Sequence, residues 1–254
     1  VFLTRGYGGK SVGPMLVDLA RHTSRDGGDE AVLLAKIAPT IIAQDRLAGA
    51  HLAEQYGDIV IMDDGFQNPA LYKDCSIIVV DTGQGIGNGL CLPAGPLRAP
   101  LKTQWAKADL CVLIGDDRDD RCHFSNPIPI PIFRGRLMPQ ASQANALKAL
   151  NVFAFAGIGR PDKFFDTLDE AGAVIAEKRY FADHYRYTVE DIDLIISQAS
   201  EKFLIPVTTA KDAVKIAEIA PDALNTIRIL EVTLQMENMD GWINAILNKL
   251  PLKN

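Results

Sequence analysis

The sequence of 254 residues contains no apolar run approaching the roughly 20 residues that cross a bilayer, and no signal-peptide pattern is visible. A cytoplasmic chain is therefore the expectation. Its four cysteines, Cys75, Cys91, Cys111 and Cys122, lack zinc-site spacing, and Cys75 and Cys111 adjoin or lie inside apolar runs. This argues against a disulfide framework and for free thiols in a reducing compartment. Positive charge is also scarce. A formal net charge of -6 argues against a general nucleic-acid binder, because affinity for that polyanion comes mainly from Lys and Arg. Internal repeats and low-complexity tracts are missing as well. What remains is a chain with 48% hydrophobic residues, near the globular average, and long enough for one large domain or two modest ones.

The stretch from residue 58 to residue 98 reads DIVIMDDGFQNPALYKDCSIIVVDTGQGIGNGLCLPAGPLR. Residues 59–62 form a short β-branched run suited to a central parallel strand buried on both faces, and it stops at Asp63 and Asp64. Two consecutive carboxylates leaving a strand diverge, so one can bind a metal or its water while the other faces a nucleotide or a catalytic group. Gly65, an aromatic and the amide of Gln67 follow at once, which favours function over a solvated turn. Residues 77–80 repeat the pattern, ending at Asp81 before a glycine-rich loop. In open α/β sheets, ligands bind beyond the carboxyl ends of the strands. The segment LPAGPLR then uses two prolines to hold the chain and deliver the guanidinium of Arg98, a group suited to bidentate phosphate binding.

Elsewhere, residues 1–4 read as a strand running into the glycine-rich RGYGG, which can approach a ligand closely. Asp29 and Glu30 open a helix whose macrodipole favours acids in its first turn, and an N-cap role explains Asp29 by itself. Residues 40–43 read as a strand, 45–56 as a helix and 110–114 as a further strand, with a solvated charge run after it at 116–121. The prolines of PIPIPIF argue against a central strand and for an extended inter-domain connection between about 126 and 139. From residue 151, strands alternate with helices, which implies a mostly parallel sheet with right-handed crossovers. In FADHYRYT, His184 beside Asp183 can be held in one tautomer, although a solvated loop histidine fits the context equally. Thr208, Thr209, Lys211 and Asp212 stand at a strand-to-helix junction, where a cap accounts for Asp212 and solvation for Lys211.

Read in one order, RGYGG, GDE, DDGFQ, GNGxxLPAGPLR, GIGRP, DHxxYT and TTxKDAVK resemble the tetraacyldisaccharide 4'-kinases, the lipid A 4'-kinases of Gram-negative bacteria, over nearly the whole chain. The resemblance implies an α/β fold: a P-loop-type, Rossmann-like parallel-sheet domain at residues 1–130, truncated at its N-terminus, and a smaller α/β domain at 131–254. It implies transfer of the ATP γ-phosphoryl group to the 4'-hydroxyl of a tetraacyldisaccharide 1-phosphate lipid, with Mg²⁺, at the cytoplasmic face of the inner membrane. No protein partner is evident. Carried over residue by residue, it makes Asp63 and Asp64 the acidic strand end that binds Mg²⁺ directly or through water. Asp29 becomes the base that accepts the sugar hydroxyl's proton, and His184 its orienting or tuning partner. Arg98 and Gln67 serve the nucleotide.

The sequence departs from the family's pattern at Asn68, where a His usually follows DDGFQ, at Ala99, where an acid commonly follows LPAGPLR, and at Tyr185, where a second His often follows DH. The Walker A pattern GxxxxGK[ST] is missing too, and the family places it upstream of RGYGG. Two alternatives stay open on these grounds. One is a truncated, non-catalytic remnant that binds the lipid precursor. The other is a dinucleotide oxidoreductase using GQGIGNG, although neither a following helix nor a ribose-binding acid is placed as that fingerprint requires.

Overall fold

The apolar runs bounded by turn residues become strands and helix faces in the computed structural model, which describes residues 1–115 and 127–251. The chain opens with β1 (Phe2–Thr4) and, after the RGYGG loop, β2 (Met15–Leu16). Thr23 Oγ1 accepts from the Arg25 N–H and Asp26 Oδ2 from the Thr23 N–H, which starts the single turn α1 (Ser24–Gly27). Next come α2 (Asp29–Ala35), β3 (Thr40–Ile42), α3 (Arg46–Ala53) and β4 (Ile61–Met62), with Asp45 Oδ1 capping α3 through the Leu47 and Ala48 N–H groups. They are followed by β5 (Ile77–Asp81), α4 (Leu101–Trp105), β6 (Leu110–Ile114), β7 (Ile132–Pro139) and α5 (Ala141–Leu147). The alternating region supplies β8 (Asn151–Ala156), α6 (Pro161–Glu170), β9 (Val174–Tyr180), α7 (Val189–Glu201), β10 (Ile205–Thr209) and α8 (Ala210–Ala217). The chain closes with β11 (Arg228–Leu230), β12 (Val232–Met236) and α9 (Met239–Leu247).

These strands form three four-stranded sheets, in the orders β2-β3-β1-β4, β11-β10-β8-β9 and β12-β7-β6-β5. In the first, β1 pairs in parallel with β3 and β4, while β2 runs antiparallel to β3. The second is parallel throughout. It is covered on both faces, and alternation along β8 shows how: Val152, Ala154 and Ala156 pack with Phe164, Phe165 and Leu168 of α6, whereas Phe153 and Phe155 pack with Ile192 and Ile195 of α7.

The chain forms two compact units: Val1–Gly65 with Pro139–Val232, which carries the first two sheets, and Phe66–Met138 with Thr233–Asn254, which carries the third. The sequence divides sequentially at 130/131, but these units interleave, because β12 lies beside β7 while residues 139–232 group with 1–65.

Two sequence expectations are corrected by the strands. The run at 59–62 is not a central strand: β4 covers only Ile61–Met62, ends its sheet, and leaves Ile59 and Ile61 at 52% and 54% exposure. An apolar run reads the same at an edge as in a centre. The Pro-rich segment likewise is not an extended connection throughout, since Ile132–Pro139 is a strand between β6 and β12. The ladder tolerates the prolines because Pro131 lies just before the strand and uses only its carbonyl, which accepts from the Cys111 N–H at 2.9 Å. Cys75, Cys91 and Cys111 are free thiols. Cys122 and the charge run at 116–121 lie outside the described residues.

Candidate active site

Parallel strands bring the informative side chains to one kind of place, the carboxyl ends of the first two sheets. The first helix of the βα geometry illustrates why. The C-terminus of α2 leads into the start of β3, so the first turn of α2 lies toward the end at which β1, β3 and β4 finish. Asp29 is the first residue of that helix, with Gly28 rather than Asp29 as the cap. Gly28 has φ 83, and a Cβ there would come within 2.1 Å of the Tyr7 carbonyl oxygen, so a glycine is required where the RGYGG loop crosses the helix start. Within the loop Gly9 serves the same close packing, since a Cβ there would come within 2.4 Å of the Asp26 carbonyl oxygen.

Asp29 is buried, at 5% exposure. Its Oδ1 accepts from the Glu30 N–H at 3.0 Å and its Oδ2 lies 3.2 Å from Nδ1 of His184. His184 comes from the loop after β9, the second sheet's carboxyl end, and holds a left-handed φ of 54. Such a conformation in a non-glycine residue persists only where surrounding contacts hold it. The holding contacts are Asp29, the Asp183 Oδ1 that accepts from the His184 N–H at 3.0 Å, and the Tyr7 ring at 5.6 Å between centroids. Arg186 adds a bond from Nη2 to the Gly8 carbonyl at 3.4 Å, so RGYGG does lie beside the couple.

At the end of β4, Asp63 Oδ2 accepts from Thr4 Oγ1 at 3.0 Å, tying two adjacent strand ends together. Burial pushes the Asp63 carboxyl above its usual range. The Thr4 bond opposes this, the Glu30 and Asp64 carboxylates add to it, and Arg46 opposes it. Asp64 takes a left-handed φ of 48. Arg46 is a charged residue that sequence reasoning missed. It sits 5% exposed on α3, Nη1 donates to the Ala43 carbonyl at 2.6 Å, and it faces both carboxylates. Burial first, then Arg5, lowers its proton affinity, while Asp63 and Asp64 raise it. Apart from a lone arginine at a helix start, nothing in the sequence marks it.

Among the described residues, no cluster of three or more His, Cys, Asp or Glu side chains could hold a metal alone. Mg²⁺ does not need one, since it commonly takes one or two carboxylates and completes its octahedron with waters and substrate phosphates. Two adjacent carboxylates and a hydroxyl, all hard oxygen donors, fit that requirement.

The raised Asp63 carboxyl makes a prediction about stability. Ionised Asp63 burdens the folded state, so the associated stability is present below the ordinary carboxylate range and is lost as pH rises through the raised value. Asp63→Asn keeps an acceptor for Thr4 and removes the charge. In metal-free buffer it should raise the unfolding free energy from denaturant titration at neutral pH, by under about 1 kcal/mol because water still reaches the group, with no gain near about pH 4. A lower unfolding free energy at neutral pH would contradict this.

Gln67 and Arg98 belong to the second unit, whereas Asp29, Asp63, Asp64 and His184 belong to the first. Within the second unit, Gln67 Nε2 donates to Gln104 Oε1 at 3.3 Å, and Gln104 Nε2 donates to the Ala99 carbonyl at 2.7 Å. Gln104, unmarked in the sequence, therefore links Gln67 to the residue beside Arg98. Two of the family departures, Asn68 and Tyr185, have local roles. Asn68 Oδ1 caps its own turn through the Ala70 N–H at 2.9 Å, and the Tyr185 hydroxyl donates to Asp191 Oδ2 at 3.2 Å while its ring packs on Phe181 and Tyr187.

Parallel strands ending in carboxylates, with an Asp–His contact beyond them, fit an α/β enzyme of the phosphoryl-transfer class. The chain belongs to the tetraacyldisaccharide-1-P 4'-kinase family, LpxK, whose profile matches residues 1–251. The tetraacyldisaccharide 4'-kinase of Methylobacterium nodulans is 46% identical over 243 residues, covering 94% of this chain and 71% of its own. That of Rhodopseudomonas palustris strain BisB5 is 44% identical over 243 residues, covering 93% and 71%. A crystal structure of the "apo" form of LpxK from Aquifex aeolicus in complex with ATP superposes with a TM-score of 0.73 at 25% identity, covering 98% of this chain and 78% of that one. The motif resemblance and the α/β fold class are borne out.

Proposed function

We propose that this chain is an ATP-dependent kinase that transfers the γ-phosphoryl group to the 4'-hydroxyl of a tetraacyldisaccharide 1-phosphate in lipid A biosynthesis. The observation that carries the reading from family to chemistry is the 3.2 Å contact between the buried Asp29 and His184. As the 4'-oxygen attacks the γ-phosphorus and the bond to ADP breaks, the hydroxyl's proton passes to Asp29, and the imidazole orients that carboxylate. Asp63 and Asp64 would hold Mg²⁺, which neutralises charge on the phosphates. Arg98 and Gln67 serve the nucleotide. Phosphoryl transfer depends mostly on positioning and charge neutralisation, which these groups supply.

The lipid acceptor brings the reaction to the cytoplasmic face of the inner membrane. No helix among the described residues is long and apolar enough to cross a bilayer.

The test is γ-labelled ATP with the tetraacyldisaccharide 1-phosphate in mixed micelles containing Mg²⁺, followed by location of the label. Label on the 4'-oxygen supports the reading, and ATP hydrolysis without labelled lipid refutes it. In the same assay Arg98→Ala should raise KM for ATP about tenfold or more, the worth of one charge-assisted bond. An unchanged KM would remove Arg98 from the nucleotide's contacts.

A further inference from the structure

A cation outside this catalytic set stands beside it. Lys211 is the second residue of α8, directly beyond the carboxyl end of β10, and its Nζ donates to Glu30 Oε1 at 2.8 Å. Glu30 is the neighbour of Asp29 on α2, and the ammonium also faces Asp29 and Asp183. Burial opposes the charged form of Lys211, but Glu30, Asp29 and Asp183 outweigh it, and its proton affinity is raised. Two bonds thus join α2 to the second sheet side by side: Asp29 to His184, and Glu30 to Lys211.

The pair is partly open to water, with side chains 30% and 44% exposed. A pair so placed contributes little to a fold. Its larger consequence is local. The His184 imidazole meets Asp29 Oδ2 at 3.2 Å from Nδ1 and Asp183 Oδ1 at 3.8 Å from Nε2, so it lies between two carboxylates. Lys211 is a full positive charge facing both, and Glu30 partly offsets it while itself facing Asp63 just beyond β4. The Tyr7 ring also packs against the imidazole, at 5.6 Å between centroids.

We propose that Lys211 is a positioning residue for the Asp29–His184 couple, holding the start of α2 through Glu30 and balancing the negative charge on the two carboxylates that flank the imidazole. The inference rests on the reading of Asp29 and His184 as the reacting couple, but it can be tested on the imidazole itself.

In the full-length protein with isotope-labelled histidine, NMR follows the pH at which the His184 ring titrates in Lys211→Met, Lys211→Arg and Glu30→Gln. Removing the cation should move that midpoint to higher pH by about half a unit or more, and removing the anion should move it to lower pH, since nearby charge acts on the two protonation states oppositely. Lys211→Arg should stay near the parent. With the kinase assay, Lys211→Met should lower kcat about tenfold with KM for ATP unchanged, and Lys211→Arg should restore most of it. A tie that is only structural loosens the same way from either end. Displacements of one sign in Lys211→Met and Glu30→Gln, or none in either, therefore overturn the proposal. Opposite displacements with unaltered kcat would leave the charge balance standing and overturn the reading of the couple as the reacting groups.

Discussion

Asp29→Ala is expected to lower turnover about 10²-fold to 10⁴-fold while ATP affinity stays nearly unchanged, because a general base acts on the acceptor hydroxyl in the transition state. The expectation rests on geometry. Asp29 is buried at a helix start, and one of its oxygens meets the His184 imidazole, which also lies against the Asp183 carboxylate and the Tyr7 ring. His184→Ala should lower kcat in the same way but less. The double variant should lose less than the product of the single losses, since the two groups act as a unit. Steady-state kinetics of the three variants in the full-length protein, with ATP binding measured separately, decides it. The relative size of the single losses carries more information. The His184 side chain is 31% exposed against 6% for Asp29, so a loss for His184→Ala exceeding that for Asp29→Ala would make the imidazole the base and Asp29 its orienter. Strictly multiplicative losses would argue against any couple.

The largest effect on stability is expected from Lys215→Met, at about 3–5 kcal/mol, the usual consequence of leaving one partner of a buried ion pair unpaired. Asp212 is fully buried and Lys215 is 8% exposed, one turn apart on α8, with Nζ 2.8 Å from Oδ1. Asp212 Oδ2 accepts from the Gly157 N–H at 3.0 Å and from Thr209 Oγ1 at 2.8 Å, while Lys215 Nζ donates to the Gly157 carbonyl at 3.2 Å. The pair therefore grips both sides of Gly157, where β8 gives way to the GIGRP loop. Lys215 also lies 5.4 Å over the Tyr187 ring, whose hydroxyl is pushed far up in pKa, first by burial and then by Asp212. Adding Asp212→Asn to Lys215→Met should recover part of the loss by removing the stranded charge. Urea denaturation of the single and double variants measures both, and a loss below about 0.5 kcal/mol for Lys215→Met would show that the pair is not the clamp its geometry describes.

What could be read in the sequence depended on the range of the physics involved. Local patterns translated well. The apolar runs at β6, β8 and β10 became buried strands. At the α8 junction, however, the cap is Thr209, and Asp212 is the buried partner of Lys215. Apolar composition could not tell the edge strand β4 from a central one, and proline count could not show that β7 begins directly after Pro131 and ends on Pro139. The site was legible only through its family motifs. Asp29 alone reads as a capping acid and His184 alone as a loop residue, and 155 residues separate them. Arg46, Gln104 and Lys211 were hidden for the same reason, since an isolated charge or amide reads as solvated until its partners are in place.

The interleaving of the two units also governs how the protein is made. The Lys211–Glu30 bond spans 181 residues, and β12 takes its place beside β7 only after most of the chain has been synthesised. On the ribosome, the N-terminal strands emerge long before α8 and the His184 loop that their carboxyl ends meet, and β5 and β6 emerge before their sheet is whole. Neither unit can fold to completion as a nascent domain while the rest is still being translated. Closing such long loops slows assembly and prolongs the exposure of unpaired edges. Turnover thus waits for nearly complete synthesis, and a ribosome that stalls near residue 200 releases a chain with Asp29 in place and nothing yet to bind Glu30.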